Sequence, residues 1–263
     1  MMDLPNRVAN SAGSGIGRLI SLATADAAEN MAIDQSILDS VSISVVPVLR
    51  FYQWSEPTLS MGYFQRFRTR SEHAASFPIR CVRRATGGGA IVHDQELTYS
   101  ICLPVAPGKA WVRDTLYQQT HQAIADALAC FGVHAVPFRL SGACIRTKEE
   151  NSRFLCFQRR TEEDLVASGY KVLGSAQRKT RTAVLQHGSL LIHASRYAPE
   201  LPGIGELQSF SIPVQQLIEK IVTNLSAGLH LDWNEDELTD HEKQMASKIS
   251  QERFTNAAWT MRR

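Results

Sequence analysis

The chain has 263 residues, of which 44% are hydrophobic and 21% are charged, the balance of an ordinary globular protein. Its formal net charge of +2 is too small to indicate a nucleic-acid-binding protein. It contains no apolar run of ~18 residues, which excludes a membrane-spanning helix, and its N-terminal segment lacks the continuous apolar core of a signal peptide. Five cysteines without a C-x-x-C motif are typical neither of a disulfide framework nor of a zinc ribbon, so a reduced cytoplasmic protein is expected.

The first predicted elements follow a short leader. Residues 1–18, with several glycines and serines, predict a flexible leader, and residues 19–263 predict one domain large enough to bury a core. Helical spacing of apolar residues predicts a helix in "DAAENMAIDQSILDSV", and the runs "VVPVLRFYQW" and "TLSMGYFQ" predict strands. Alternating apolar residues in "LTYSICLP" predict a strand with one face on the core: Leu97, Tyr99, Ile101 and Leu103.

The second half of the chain predicts helices on both sides of a strand pair. Residues 113–132 give the clearest helical pattern, with Gly132 as a stop signal, and "GYKVLGSAQRK" and "TAVLQHGSLLIH" predict two strands joined by a basic turn. The C-terminal tail is predicted to be helical over residues 213–254, with Thr239 and Glu242 as a capping box. Helices interleaved with consecutive strands predict an α+β fold, a mixed and largely antiparallel β-sheet core flanked by helices.

The stretch "RRATGGGAIVHD" joins two predicted strands through three glycines. It lacks the Gly-Lys-Ser/Thr end of a phosphate-binding P-loop, and it does not open a helix as a dinucleotide-binding fingerprint does. Residues without a Cβ allow unusual backbone angles and a close approach by a ligand. Both an ordinary tight turn and a floor for a ligand are consistent with this segment alone.

Three side chains outside the glycine turn are candidates for chemistry. A cysteine such as Cys156 is an acyl-accepting nucleophile when a nearby cation favours its thiolate, and Lys171 is a candidate for that cation. Taken alone, each has an ordinary interpretation: a buried cysteine, a surface lysine and, for His187, a hydrogen-bonded turn residue. His187 and His193 have no acidic or cysteine partner at ligand spacing, so no metal site is predicted.

Basic residues cluster in "QRFRTR", in "RKTR" and at the pair Arg159 and Arg160. Each cluster is typical of a solvated face. Together they also fit a surface that meets an acidic protein partner.

As a set, these segments resemble the lipoate–protein ligase A superfamily, which shares its catalytic fold with biotin protein ligases. The resemblance runs from about Asn30 to the C-terminus and rests on four blocks in the family's order: "ENMAIDQSIL", "LRFYQWSEPTLSMGYFQ", "RRATGGGAIVHDQELTYSI" and "GYKVLGSAQRK…LQHGSLLI". It implies the biotin/lipoate protein ligase catalytic-domain fold. It also implies that the glycine turn is a floor for the acyl chain and its activated carbonyl.

The resemblance implies a set of site residues. The octanoyltransferase branch carries a cysteine 15 positions before the lysine of its G-x-K block, and Cys156 and Lys171 reproduce that frame, whereas Cys144 lies outside it. Cys156 and Lys171 are therefore the implied catalytic residues, with backbone N–H groups near Gly174 to Ala176 as further donors to the oxyanion. The implied substrate-binding residues are Arg83, Thr86, Gly87, Gly88, Gly89, His93, Gly174, Ser175, Ala176, His187 and Gly188.

The same resemblance implies an activity and its partners. The implied reaction moves an octanoyl group, or a lipoyl group, from acyl carrier protein to Cys156 and then to a lysine of a lipoyl domain, without a cofactor. The implied acceptors are the glycine cleavage H protein and 2-oxoacid dehydrogenase E2, and a monomer is expected. Relatives often carry a proline and aromatic residues after the Cys-Phe pair, where this chain has residues 158–162, "QRRTE", which leaves the choice of donor open.

Three alternatives remain open at this point. An ATP-dependent lipoate ligase would use ATP and Mg, but known ligases usually carry a further C-terminal domain or partner chain, which this sequence does not add after its predicted tail helices. An amidotransferase that moves octanoyl between lipoyl-bearing proteins usually departs from the glycine signature seen here. A non-catalytic binder of lipoyl domains would have no use for Cys156 and Lys171.

Overall fold

The structure is a computed structural model that describes residues 15–106, 112–142, 154–208 and 213–263. Eight strands form its main sheet: β1 (Ile16–Ala25), β2 (Val48–Trp54), β6 (Glu96–Pro104), β7 (Val136–Pro137), β8 (Leu165–Ala167), β9 (Tyr170–Lys179), β10 (Ala183–Leu191) and β11 (Asp232–Asp236). Their order is β11-β1-β2-β6-β10-β9-β8-β7. In that order, each pair of neighbouring strands between β2 and the edge strand β7 is antiparallel. β1 runs parallel to both β2 and β11. The predicted mixed, largely antiparallel sheet is confirmed.

A second sheet of three short strands carries the glycine turn. Its strands are β3 (Thr58–Met61), β4 (Arg80–Arg83) and β5 (Ile91–His93), in the order β4-β3-β5. β3 pairs in parallel with β4 and antiparallel with β5. The three glycines lie between β4 and β5, so the prediction that they join strand to strand is confirmed.

Helices cover both faces of the main sheet. α1 (Ala27–Ser44) and α5 (Asp240–Ile249) pack on one face, and α2 (Val112–Ala129) and α4 (Val214–Leu229) pack on the other. Leu97, Tyr99, Ile101 and Leu103 of β6 join the cluster with α2 and α4, as their alternation predicts, whereas Cys102 packs with α1. Because both faces are covered, β6 and β10 are buried along their whole length.

Shorter helical segments complete the described chain. These are α3 (Ile204–Gln208), a π-helical turn at Ser250–Phe254, α6 (Ala257–Thr260) and 3-10 turns at Phe67–Glu72, Ala74–Ser76, Phe138–Leu140 and Cys156–Gln158. The predicted capping box is present, because Thr239 and Glu242 exchange side-chain-to-backbone hydrogen bonds at the start of α5. In the described ranges no helix combines the length and the apolar character needed to cross a membrane.

The structure differs from two predictions near the chain ends. Residues 16–18, assigned to the leader, are the first residues of β1, and residues 1–14 lie outside the described residues. The tail over 213–254 is not helical throughout, because residues 232–236 form the edge strand β11. Trp233 packs over Gly17, where a Cβ atom would overlap its ring, and Arg18 binds Asp236 at 2.6 Å. β11 is held by these long-range contacts. The segment "DWNED" has no alternating apolar pattern, so the sequence alone does not predict a strand there.

Candidate active site

The turn between β4 and β5 is held by a buried arginine. Arg84 donates hydrogen bonds to the carbonyl oxygens of Gly87 and Gly89, both at 2.7 Å, and of Ser60 at 2.9 Å. Gly88 has a φ of +94°, a conformation that residues with a side chain rarely adopt. Burial lowers the pKa of Arg84 to about 10, so the guanidinium remains charged at neutral pH. The conformation of the turn is therefore held by the charged guanidinium of Arg84, which lies inside it.

The third glycine of the turn lies against the backbone of Cys156. A Cβ atom built on Gly89 would lie 2.9 Å from both N and Cα of Cys156. The next residue, Ala90, accepts a hydrogen bond from the Cys156 N–H at 2.7 Å and donates one to the Phe154 carbonyl at 3.0 Å. The two glycines therefore face different neighbours. Gly88 lines a pocket, and Gly89 packs directly against the backbone of the cysteine segment.

Cys156 and Lys171 are in contact. Cys156 begins a 3-10 turn, and Lys171 is the second residue of β9, directly after a hairpin in which Ser168 and Gly169 both have positive φ. The Lys171 Nζ atom lies 3.7 Å from Cys156 Sγ and 3.4 Å from the Cys156 carbonyl oxygen. Cys156 is half-buried and Lys171 is buried, so a thiol at the pocket has a cation directly beside it.

Asp164 is the second partner of Lys171. The Lys171 Nζ atom lies 2.8 Å from Asp164 Oδ2, and the same carboxylate accepts hydrogen bonds from the Thr161 N–H at 2.6 Å and the Tyr117 hydroxyl at 3.1 Å. Burial alone would lower the pKa of Lys171, but the attraction of Asp164 and Cys156 outweighs it, and the pKa is raised above its ordinary value. Lys171 is therefore an ammonium ion at neutral pH.

Gly174, Ser175 and Ala176 of β9 form the pocket wall next to Lys171. A Cβ atom on Gly174 would lie 2.8 Å from Lys171 Nζ, so the glycine provides the room that the lysine side chain occupies. The Ser175 N–H donates to the Tyr117 hydroxyl at 3.1 Å. This N–H, one of the backbone donors implied by the resemblance, is already engaged and does not point an open donor at the pocket.

The Ser175 side chain belongs to a buried hydrogen-bond network behind the wall. Its Oγ lies 2.7 Å from Tyr99 Oη and 2.7 Å from His121 Nε2. His121 Nδ1 donates to the Glu163 carbonyl at 2.6 Å, and burial lowers the pKa of His121 to about 4. His121 is therefore neutral, and its Nε2 accepts the Ser175 hydroxyl proton. Gln186 Nε2 extends the network by donating to Tyr99 Oη at 2.8 Å.

On β10, His187 is oriented by two polar partners. Its Nε2 lies 2.7 Å from Thr86 Oγ1 and its Nδ1 lies 3.1 Å from Asp34 Oδ2. Asp34 is buried and also accepts hydrogen bonds from Arg50 at 3.0 Å and Tyr52 at 2.9 Å. Burial opposes the charge of Asp34, but the hydrogen bond with His187 and the attraction of Arg50 hold the pKa of Asp34 below its usual value. Thr86 therefore does not line the pocket itself but orients the His187 ring, which does.

His93 is fixed on the far side of the glycine turn. Its ring stacks on Trp54 with centroids 3.8 Å apart, its Nε2 lies 2.7 Å from Ser60 Oγ, and its Nδ1 bonds to Glu96. Burial lowers the pKa of His93. The stacked pair presents a flat, rigid surface to the pocket.

Arg83 points away from the pocket. Its guanidinium donates to the carbonyl oxygens of Gly62 at 2.9 Å, Gln65 at 2.7 Å and Thr260 at 2.9 Å. It thereby ties the turn after β3 to the short helix α6. In this structure Arg83 organises the backbone around the site and does not line the pocket.

One pocket brings most of the predicted site residues together. It contains about 420 Å³ of space between atoms, including the part open to solvent, and Met31, Tyr52, Trp54 and Ile91 supply apolar lining. The predicted residues that line it are Cys156, Gly88, His93, Gly174, Ser175, Ala176, His187 and Gly188. The predicted residues that do not line it are Arg83, Thr86, Gly87, Gly89 and Lys171. Within the described ranges, no group of three or more His, Cys, Asp or Glu side chains is arranged to hold a metal ion.

Three residues of the site were not identified from the sequence. Asp164 follows two other acidic residues in "TEEDL", and nothing in that run marks it as the buried partner of Lys171. His121 lies on a polar stretch of α2 and resembles an ordinary surface residue. The double arginine before the glycines does mark Arg84 as a candidate site residue, but the resemblance implies a substrate-binding role for Arg83 alone. Cys144 lies outside the described residues.

Comparisons with known sequences agree over most of the chain. A family model described as the lipoyl protein ligase A/B catalytic domain matches residues 26–245. The octanoyltransferase LipM of Brevibacillus brevis is 30% identical over 270 residues, which cover 90% of this chain and 95% of the relative. The octanoyltransferase LipM of Anoxybacillus flavithermus is 28% identical over 279 residues, which cover 94% of this chain and 99% of the relative.

Solved structures share the same fold. A lipoate-protein ligase A bound with ATP superposes with a TM-score of 0.75 and 22% identity, covering 94% of this chain and 98% of the other. A bipartite lipoate protein ligase from Thermoplasma acidophilum, solved in a study that includes its E2 lipoyl domain, has a TM-score of 0.74 and 21% identity, covering 94% and 96%. These likenesses confirm the predicted fold class.

Proposed function

This chain belongs to the family of lipoyl protein ligase A/B catalytic domains, and we propose that it is an octanoyltransferase that works through a thioester on Cys156. The proposed donor is an octanoyl group on acyl carrier protein, and the proposed acceptor is a lysine of a lipoyl domain, as in the glycine cleavage H protein or a 2-oxoacid dehydrogenase E2. Two observations support this choice of reaction. The two sequence relatives are octanoyltransferases aligned over nearly their full length, and Cys156 lies beside Lys171 at the pocket.

The contact between Cys156 and Lys171 carries the proposal. An ammonium ion 3.7 Å from Sγ stabilises the negative charge of a thiolate, the nucleophilic form of cysteine. Asp164 keeps Lys171 charged and holds its Nζ in place, since the carboxylate lies 2.8 Å away. A cysteine serving only as packing would need neither a buried cation nor a buried counter-ion for that cation.

In the first proposed step, the Cys156 thiolate attacks the carbonyl carbon of the octanoyl thioester. A new carbon–sulfur bond forms, the oxyanion of the tetrahedral intermediate is stabilised by Lys171, and the bond to the carrier sulfur then breaks. The carrier leaves as a thiolate that takes a proton from water. One thioester replaces another of nearly equal energy, so the proposed reaction requires neither ATP nor a metal.

In the second step, the amine of the acceptor lysine attacks the Cys156 thioester. The carbon–nitrogen bond forms, the Cys156 thiolate leaves beside Lys171, and the surplus proton of the amine passes to solvent. Because its raised pKa keeps Lys171 protonated at neutral pH, the lysine cannot accept a proton, and its proposed role in both steps is electrostatic. The acyl chain would lie in the pocket against Met31, Trp54 and Ile91, where each buried CH₂ contributes roughly 0.8 kcal/mol.

Intact-protein mass spectrometry tests this function. The protein is incubated with octanoyl-carrier protein, without ATP and without acceptor, and we expect a gain of one octanoyl group that hydroxylamine removes. Cys156→Ala should show no gain. If the wild-type protein stays unmodified but forms an adenylate from ATP and lipoate, the chain is a ligase and the proposed transferase is wrong.

A further inference from the structure

A groove on the surface adjoins the glycine turn that borders Cys156, and a second groove lies next to it. The first is lined by Phe64, Arg66, Gly88 and Arg159, among others, and Gly88 also lines the acyl pocket. The second is lined by Phe64, Arg66, Arg68 and Arg263. The grooves are adjacent because they share Phe64 and Arg66, and the first of them borders the acyl pocket at Gly88. We call these two adjacent grooves, which together extend from Gly88 to Arg263, the arginine groove.

The arginine groove displays exposed positive charge. Arg66, Arg68 and Arg263 are exposed, and in the described part of the chain no carboxylate forms an ion pair with Arg66 or Arg68. Glu72 is the acidic side chain at its rim. The Arg263 guanidinium lies over the ring of Phe64 at 5.3 Å, which holds this cation in place. Arg66 and Arg68, together with Arg263 against the Phe64 ring, place exposed positive charge on a concave surface, which favours binding of an anion.

An apolar side chain lies in the middle of this basic surface. Phe64 is 67% exposed although its ring is large and hydrophobic. An exposed aromatic residue ringed by arginines is typical of a protein contact site, because aromatic and arginine side chains are enriched where binding energy concentrates. The arginine groove therefore fits a protein with an acidic surface better than it fits a small anion alone.

We propose that the arginine groove docks the donor of the acyl group, an acidic carrier protein whose thiol-bearing arm is attached through a phosphodiester. This inference rests on the proposed transferase function and adds the route by which its donor arrives. The phosphodiester and the acidic carrier surface meet Arg66, Arg68 and Arg263, and the arm runs past Gly88 to bring its thioester to Cys156. The exposed glycine allows the arm to pass close to the backbone.

The charge of the groove favours the donor over the acceptor. The acceptor's reactive group is a lysine amine, which is an ammonium ion in water at neutral pH and is repelled along a path lined by arginines. The donor's arm carries a negative phosphodiester along the same path. The charge of the arginine groove therefore assigns it to the acylation step and leaves the deacylation step to another approach to Cys156.

The experiment separates the two half-reactions in a charge-reversed protein. The variant Arg66→Glu/Arg68→Glu is compared with Lys220→Glu/Lys248→Glu, which makes the same change in net charge on α4 and α5, outside both grooves. Cys156 acylation is timed by intact mass with octanoyl-carrier protein and with octanoyl-N-acetylcysteamine, which has neither phosphate nor protein. Transfer from pre-acylated Cys156 to a lipoyl domain is timed separately.

We expect the arginine variant to lose about tenfold or more in acylation by octanoyl-carrier protein at low salt, with a smaller loss at high salt. Its acylation by octanoyl-N-acetylcysteamine and its transfer to the lipoyl domain should stay within about twofold of wild type. An equal loss with both donors, a selective loss of transfer to the lipoyl domain, or no loss at all would overturn the docking site. A wild-type protein that accepts octanoyl from neither donor would instead overturn the proposed function on which the inference rests.

Discussion

Replacing Gly89 by alanine should displace the proposed nucleophile without altering its side chain. The new Cβ would lie 2.9 Å from N and Cα of Cys156, about 0.5–1 Å closer than packed atoms prefer. Both contacted atoms belong to the backbone, and the Cys156 N–H is bonded to the Ala90 carbonyl at 2.7 Å, so the segment has to move as a unit. Overpacking of this kind costs roughly 1–3 kcal/mol of folding free energy, and a displacement of about 1 Å costs about 100-fold in rate.

The assay is the rate at which Cys156 gains an octanoyl group from octanoyl-N-acetylcysteamine, followed by rapid quenching and intact mass. We expect Gly89→Ala to be acylated about 10- to 100-fold more slowly than wild type and to melt a few degrees lower. Gly228→Ala on α4 is the matched control, because no atom lies within 4 Å of the Cβ position there. A Gly89→Ala protein acylated at the wild-type rate would refute the conclusion that this glycine seats the cysteine.

Three further predictions concern the charges around the site. Lys171→Met should slow Cys156 acylation by about 100-fold or more, measured with the same small thioester, because the cation beside the developing oxyanion is lost; a loss below about threefold would contradict this role. Asp164→Asn should move the alkaline limb of the pH–rate profile for acylation to lower pH. Asp164 raises the pKa of Lys171, and the lysine carries its stabilising charge only while the pH is below that pKa. An unchanged pH profile would contradict the conclusion that Asp164 keeps Lys171 charged. His121 has its pKa lowered to about 4, so the unfolded chain binds the proton more tightly and the free energy of unfolding should fall as pH drops from about 6.5 toward 4. In urea titrations at pH 7 and pH 5, His121→Gln should lose part of that dependence, and an identical dependence in both proteins would contradict the assignment.

The sequence predicts the sheet and its flanking helices well where local pattern and burial agree. Leu97 to Leu103 alternate on a strand covered by helices on both faces, and residues 113–132 carry helical spacing up to a stop at Gly132. The prediction fails at β11, where "DWNED" has almost no β-forming residues except Trp233. That strand exists because Gly17 and Arg18 of β1 provide a long-range surface for it.

For the site, the resemblance pointed to Cys156 and Lys171, which are in contact, but not to the residues that support them. The 15-residue spacing of Cys156 and Lys171 becomes a contact only because the cysteine segment docks on Ala90 and the β8–β9 hairpin turns the chain back. Asp164 is selected among three consecutive acidic residues by its burial next to Lys171, which is a property of the folded state alone. Gly89 was expected to make room for a ligand, and in the structure it makes room for protein backbone.

The segment that carries the thiol is anchored by main-chain hydrogen bonds to Ala90, so its position in the molecule does not depend on the sulfur atom. Cys156→Ser would therefore keep the segment in the same position while replacing the thiol by a hydroxyl group. Any octanoyl group loaded there would sit in an oxygen ester, whose alkoxide is a poorer leaving group than a thiolate. Such a protein would stall between its two half-reactions with the acyl chain in the pocket, and could serve as bait for isolating the acceptor in its bound form.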